Sequence, residues 1–160
     1  MQHTTSLDHE LYMRRAIELA AQVPELPFGA VIVRRAERRI LAEGWNQSAK
    51  NPTWHGEIVA LNELVQRHPS CDGAGLVLYT TAEPCPMCQA AILWCGIETV
   101  VYGTSIRFLQ EQGWRQVDIL ASEVIARSPG WRCDLVGGVL AEECNALFRA
   151  ARRPAAGPAE

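Results

Sequence analysis

What this 160-residue chain lacks narrows its class before any motif is read. No apolar run approaches the length of about 20 residues that a membrane-spanning helix needs. The first ten residues, MQHTTSLDHE, are polar and lack the apolar core of a signal peptide. There is no basic excess either: 15 Lys and Arg face 18 Asp and Glu, for a formal charge of −3. Nucleic-acid binders draw much of their affinity from neutralised phosphates, so this balance argues against a large RNA or DNA partner without excluding tRNA. No internal repeat and no second domain is visible. The six cysteines form an even set, but without a secretory leader they read as reduced thiols of a cytoplasmic protein, available to metal. What remains is an ordinary globular balance, 48% apolar and 21% charged, long enough for one domain spanning 1–160.

The periodicities predict alternating elements. A helix is expected from near Ser6, with Tyr12, Ala16, Leu19 and Val23 on one face, ended by Pro24 and Pro27. Phe28 to Val33 and Ile40 to Trp45 read as an antiparallel hairpin around the charged turn Arg34 to Arg39. A polar loop, Asn46 to Thr53, leads into a helix from about Trp54 to Arg67, with Thr53 a candidate cap and Ile58, Leu61 and Val65 facing inward. Leu76 to Thr81 is a strand buried on both faces. Cys85 is placed to cap a third helix that ends near Gly96, with Pro86 suited to its first turn. Thr99 to Tyr102 is a fourth strand, Ser105 to Gln112 a short helix, and a fifth strand is expected within Val117 to Ile125. Ala141 to Ala151 reads as helix and 152–160 as a disordered tail. This rhythm predicts a layered α/β domain.

Two short stretches carry chemistry. Cys85 and Cys88 lie on nearly one side of a helix start, where the dipole favours the thiolate that zinc requires. His55 and Glu57 lie upstream at another helix start, which works only if His55 sits where the chain enters the helix, because a regular helix points alternate residues apart. His55, Cys85 and Cys88 make three zinc ligands, whereas a structural site normally has four. The fourth position is then open to water, whose pKa zinc lowers from near 16 towards roughly 7, and Glu57 can move its protons. These residues point to a hydrolytic zinc enzyme holding one zinc per chain. Alone, Cys-x-x-Cys is equally the mark of a structural half-site, with Cys71 or Cys95 as a further ligand, or of a redox pair.

H-x-E followed by P-C-x-x-C resembles the signature of the cytidine-deaminase-like zinc deaminases. Pro27 to Val31, Asn46, Asn51 to Thr53, Ala82 to Pro84 and Ala90 to Trp94 are similar to the branch of bacterial guanine deaminases and tRNA adenosine deaminases. The resemblance runs from about Asp8 to Gly103. It implies a three-layer α/β/α sandwich with a five-stranded mixed sheet, and a homodimer. It places the ligands at His55, Cys85 and Cys88, and the proton shuttle at Glu57. It also implies a base-contacting aromatic at Phe28, a base- or sugar-bonding amide at Asn46, and a pocket tryptophan at Trp94. Gly56, whose N–H would face the substrate, stands where the family usually has Ala. The guanine deaminases' Phe-Asp-Asp segment is replaced by Phe108 to Asp118, FLQEQGWRQVD.

The expected activity is therefore hydrolytic deamination of a purine-type nucleobase or nucleoside, guanine first. Adenosine deamination in a tRNA is the alternative, and a non-catalytic zinc-stabilised binding domain comes behind both. His3, His9 and His68 read as surface residues. Arg149, Arg152 and Arg153 form a small basic cluster that reads as a solvated helix end and is where RNA would be sought first.

Overall fold

Leu76 to Ala82 is buried at every position, and this strand is the middle of the sheet around which the chain folds. The structure is a computed structural model, and it describes residues 7–151. In chain order the elements are α1 (His9–Ala20), β1 (Gly29–Arg34), β2 (Arg39–Trp45), α2 (Gly56–Arg67), β3 (Leu76–Ala82), α3 (Pro86–Trp94), β4 (Thr99–Thr104), α4 (Ile106–Glu111), α5 (Ala121–Ala126), β5 (Asp134–Val136) and α6 (Ala141–Ala150). The five strands are ordered β2-β1-β3-β4-β5. β1 runs antiparallel to both β2 and β3, whereas β3, β4 and β5 are parallel. That is the expected mixed sheet.

Alternation along the strands builds a core on each face. Ile32, Leu78 and Val100 pack with Ala60, Leu61 and Leu64 of α2 and Ile92 of α3. Val31, Val33, Tyr79 and Val101 point the other way, onto Met13, Ala16 and Leu19 of α1 and Cys144 of α6. Helices thus cover both faces, as the three-layer expectation requires. A Cβ on Gly44 of β2 would strike the Gly56 carbonyl and come within 2.5 Å of the Ala60 nitrogen, so only glycine lets α2 lie this close to the sheet. No helix among the described residues is long and apolar enough to cross a membrane.

Several boundaries differ from the sequence reading. The cap of α1 is Asp8, whose carboxylate accepts from the Leu11 N–H at 3.2 Å; Ser6 lies outside the described residues. Thr53 does not cap α2 but bonds to the Asn51 side chain, and His55 takes the cap position. The inward stripe of α2 is Glu57, Ala60, Leu61 and Leu64, while Val65 is 57% exposed. No strand forms within Val117 to Ile125. The Glu123 carboxylate accepts from the Leu120 N–H and starts α5 there, and the fifth strand is the three-residue β5. His9 is no plain surface residue, since its Nδ1 lies 2.9 Å from the Tyr79 hydroxyl. His3 and the tail 152–160 lie outside the described residues.

Candidate active site

The two helices that start beside one another at the ends of the sheet, α2 and α3, carry the site. Each begins with an extended cap residue whose side chain makes no capping bond: His55 at φ −66, ψ 160 and Cys85 at φ −63, ψ 166. Because His55 sits before the helix proper, it escapes the rule that separates residues two apart. Its ring is free to turn towards α3 while Glu57, inside the first turn, points inward. Cys88 follows one turn after Cys85 and is buried.

His55 Nδ1 lies 3.5 Å from the Cys85 sulfur and 3.6 Å from the Cys88 sulfur, and all three candidate ligand atoms fall within 4.8 Å of one another. Tetrahedral zinc with ordinary Zn–N and Zn–S bond lengths separates a nitrogen and a sulfur ligand by about 3.6 Å. The set fits that ion. Among the described residues it is the one group of three or more potential ligands. Cys71 and Cys95 are outside it, which leaves the fourth-thiolate alternative unsupported.

The thiols are electrically paired. A bond from Cys88, and next to it one from His55, holds the Cys85 thiol down to about 4. The same bond holds the proton on Cys88, and burial adds to it. The bond to Cys85 also raises the His55 imidazole. Thiolate character therefore sits on Cys85, while Cys88 keeps a proton that metal binding would have to displace. Glu57 is buried, and desolvation first, the Cys85 charge second, push its carboxyl up. The Thr80 hydroxyl donates to Glu57 Oε1 at 3.3 Å.

Phe28 joins the remaining parts. Its carbonyl accepts from the Asn46 N–H at 2.9 Å. A Cβ on Gly56 would stand 2.7 Å from that same oxygen, which is a physical reason for glycine here in place of alanine. Thr81 fixes this segment to β3 by donating to the Pro27 carbonyl and accepting from the Gly29 N–H. Asn46 is buried, and its Oδ1 is taken by the backbone and hydroxyl of Ser48, so its Nδ2 is the end left to offer.

Trp94 requires correction. It is 78% exposed at the far end of α3, two turns from the ligands, and stacks edge-on with Trp131 at 5.2 Å. Within this chain it lines no site with Phe28 or Asn46. The rings that do meet Phe28 are Phe148, at 4.9 Å, and Trp114, at 5.8 Å. Neither was singled out from sequence, nor was Thr80, although a Thr-Thr pair closing an otherwise apolar strand was a readable signal. Arg149, the one described member of the basic cluster, pairs with Glu142 and lies over the Phe108 ring.

Residues 6–104 match the family described as the cytidine and deoxycytidylate deaminase zinc-binding region. The guanine deaminase of Bacillus subtilis is 34% identical over 114 residues, covering 68% of this chain and 72% of that one. The tRNA-specific adenosine deaminase of Haemophilus influenzae is 35% identical over 148 residues, covering 85% and 78%. Among solved structures, the Bacillus subtilis guanine deaminase superposes with a TM-score of 0.60 at 33% identity, covering 72% of this chain and 73% of that one. A guanine deaminase from Nitrosomonas europaea shares the fold, with a TM-score of 0.73 at 24% identity over 88% and 82% of the two chains. With a matching ligand set, a buried carboxylate beside it and relatives of this kind, the chain belongs to the cytidine and deoxycytidylate deaminase family and is a zinc-dependent hydrolytic deaminase.

Proposed function

We propose that this enzyme removes the amino group of a purine-type base, free or as its nucleoside, with guanine the first candidate. One observation carries the reading: the Phe28 carbonyl accepts from the Asn46 backbone N–H and lies close against Gly56, which brings a flat aromatic ring, Asn46 and the turn before Glu57 together. His55, Cys85 and Cys88 are the zinc ligands in this reading, and zinc bound there supplies a Lewis acid that makes water acidic near neutral pH. Glu57 keeps one carboxylate oxygen on Thr80 and uses the other to take a proton from water and return it to the departing nitrogen. Its raised pKa suits both halves of that task. Water enters, the C–N bond breaks, a carbonyl replaces the amine and ammonia leaves. Phe28 gives the ring an apolar face, Asn46 Nδ2 and the Gly56 N–H donate to its polar edge.

The acting unit is the whole chain as one domain. We place it in the cytoplasm, where its six free thiols stay reduced. A homodimer is the assembly in this reading, because Met87 and Trp94 of α3 and the adjoining Trp131 are exposed apolar groups on one side.

Adenosine deamination in tRNA is the second reading. The tRNA-specific relative aligns over 148 residues, or 85% of the chain, against 114 residues, or 68%, for the guanine deaminase. The net charge of −3 stands against it. The experiment is ammonia release from aminopurines, aminopyrimidines, their nucleosides and aminotriazines, with Glu57→Gln as control. One purine should turn over, and the variant should keep its zinc and lose about 100-fold or more in rate. Full activity in the variant would sink the mechanism; silence across the panel with turnover on tRNA would establish the second reading.

A further inference from the structure

Glu83 is a buried carboxylate, 7% exposed, that the reaction above does not use. It follows β3 by one residue and precedes Cys85 by two. Its backbone N–H donates to the Thr104 carbonyl at 2.7 Å. Oε2 accepts from the N–H of Ile106, the first residue of α4, at 2.9 Å, and Oε1 from the N–H of Ala121, the first residue of α5, at 3.0 Å. Such N–H groups have no partner inside their own helices. One side chain therefore closes both ends of the excursion 106–121.

That excursion carries Trp114. Its indole N–H donates to the Phe148 carbonyl at 3.3 Å, and its ring packs edge-on against Phe28 and Phe148. Leu109 from the same excursion joins Phe148 and Ala82 in a small buried cluster beneath Phe28. On one side of Glu83, then, lies the turn that bears two metal-binding sulfurs; on the other lies the wall behind the ring-binding aromatic.

We infer that Glu83 is a positioning residue that couples the zinc-ligand turn at 84–88 to the pocket wall at 106–121, so that metal loading orders the wall. The inference rests on the ligand and pocket assignments proposed above. A carboxylate that merely stabilised the fold would leave the two regions independent. Coupling between them is reciprocal: if zinc tightens the wall, loosening the wall must weaken zinc.

The test compares zinc-loaded and zinc-stripped protein by amide hydrogen exchange, with zinc affinity measured by chelator competition. In the unmodified protein, zinc should slow exchange across 106–121 by about tenfold or more. Glu83→Gln keeps one acceptor and turns its NH2 on the other N–H. It should lose that response and bind zinc about tenfold more weakly. If Glu83→Gln fails to fold, Ala121→Pro serves instead, since it deletes one of the two N–H donors at a helix position that accepts proline, after a Leu120 already extended at φ −73, ψ 154. Equal exchange with and without zinc in the unmodified protein overturns the inference, as does a variant with unchanged coupling and zinc affinity. If Cys85→Ala binds zinc as tightly as the unmodified protein, the ligand assignment itself has failed, and the inference falls with it.

Discussion

Thr80 offers the buried Glu57 carboxylate a side-chain hydroxyl, and it does so from β3, the middle strand of the sheet. Thr80→Val preserves shape and deletes the donor. Glu57 should then wander from its working orientation, cutting single-turnover ammonia release by about tenfold while zinc content stays at one per chain. Unchanged turnover would remove Thr80 from the site. At this scale the candidate ligand set and the carboxylate buried beside it were legible in sequence because local spacing carries them. The partners of Phe28 were not. Phe148 and Trp114 are far along the chain from it, and no periodicity links them. Trp94 misled for the opposite reason: the motif around it is local, but which way the end of α3 faces is decided by packing.

Helix starts set most of the geometry at the next scale. α1 opens on Asp8, whose carboxylate satisfies the Leu11 N–H, with Glu10 in its first turn. Asp8→Ala should cost about 1 kcal/mol, read as a lower urea midpoint at unchanged slope. No change would mean that the start of α1 is held by packing alone. Strands that are continuous apolar, β-branched runs, such as β1 and β3, were visible from composition. β5 was not, because three half-exposed residues carry no pattern; it pairs with β4 only through Asp134, Leu135 and Val136. The apolar run before it, Val117 to Ile125, instead turns into α5 because Glu123 reaches back to the Leu120 N–H.

Over the whole molecule, the ligand cluster joins two covering helices that are otherwise linked only through the sheet and one shared core. A metal that binds the folded chain and not the unfolded one stabilises it by mass action, about 4 kcal/mol at a thousandfold excess over Kd. Chelation should therefore lower the calorimetric Tm by several degrees, and readdition of zinc should restore it. A melting curve indifferent to chelator would mean that the cluster holds no metal. The antiparallel entry of β1 and the parallel run of β3 to β5 place both helix starts at one edge, whereas the strand-helix rhythm predicts only a layered α/β domain. The closing of that edge by the chain after Gly103 was beyond a sequence pattern, since it depends on contacts between distant segments.

The caps of α2 and α3 carry one more implication. Most helices begin with a side chain that serves the helix, and these two begin with side chains that make no capping bond and belong to the candidate metal cluster. Ser or Asp at position 55 or 85 would cap the first turn better and, under the proposed ligand assignment, would cost the metal site a ligand. At these two positions selection for activity and selection for stability pull in opposite directions, so the chain rests below its own stability optimum where its chemistry begins.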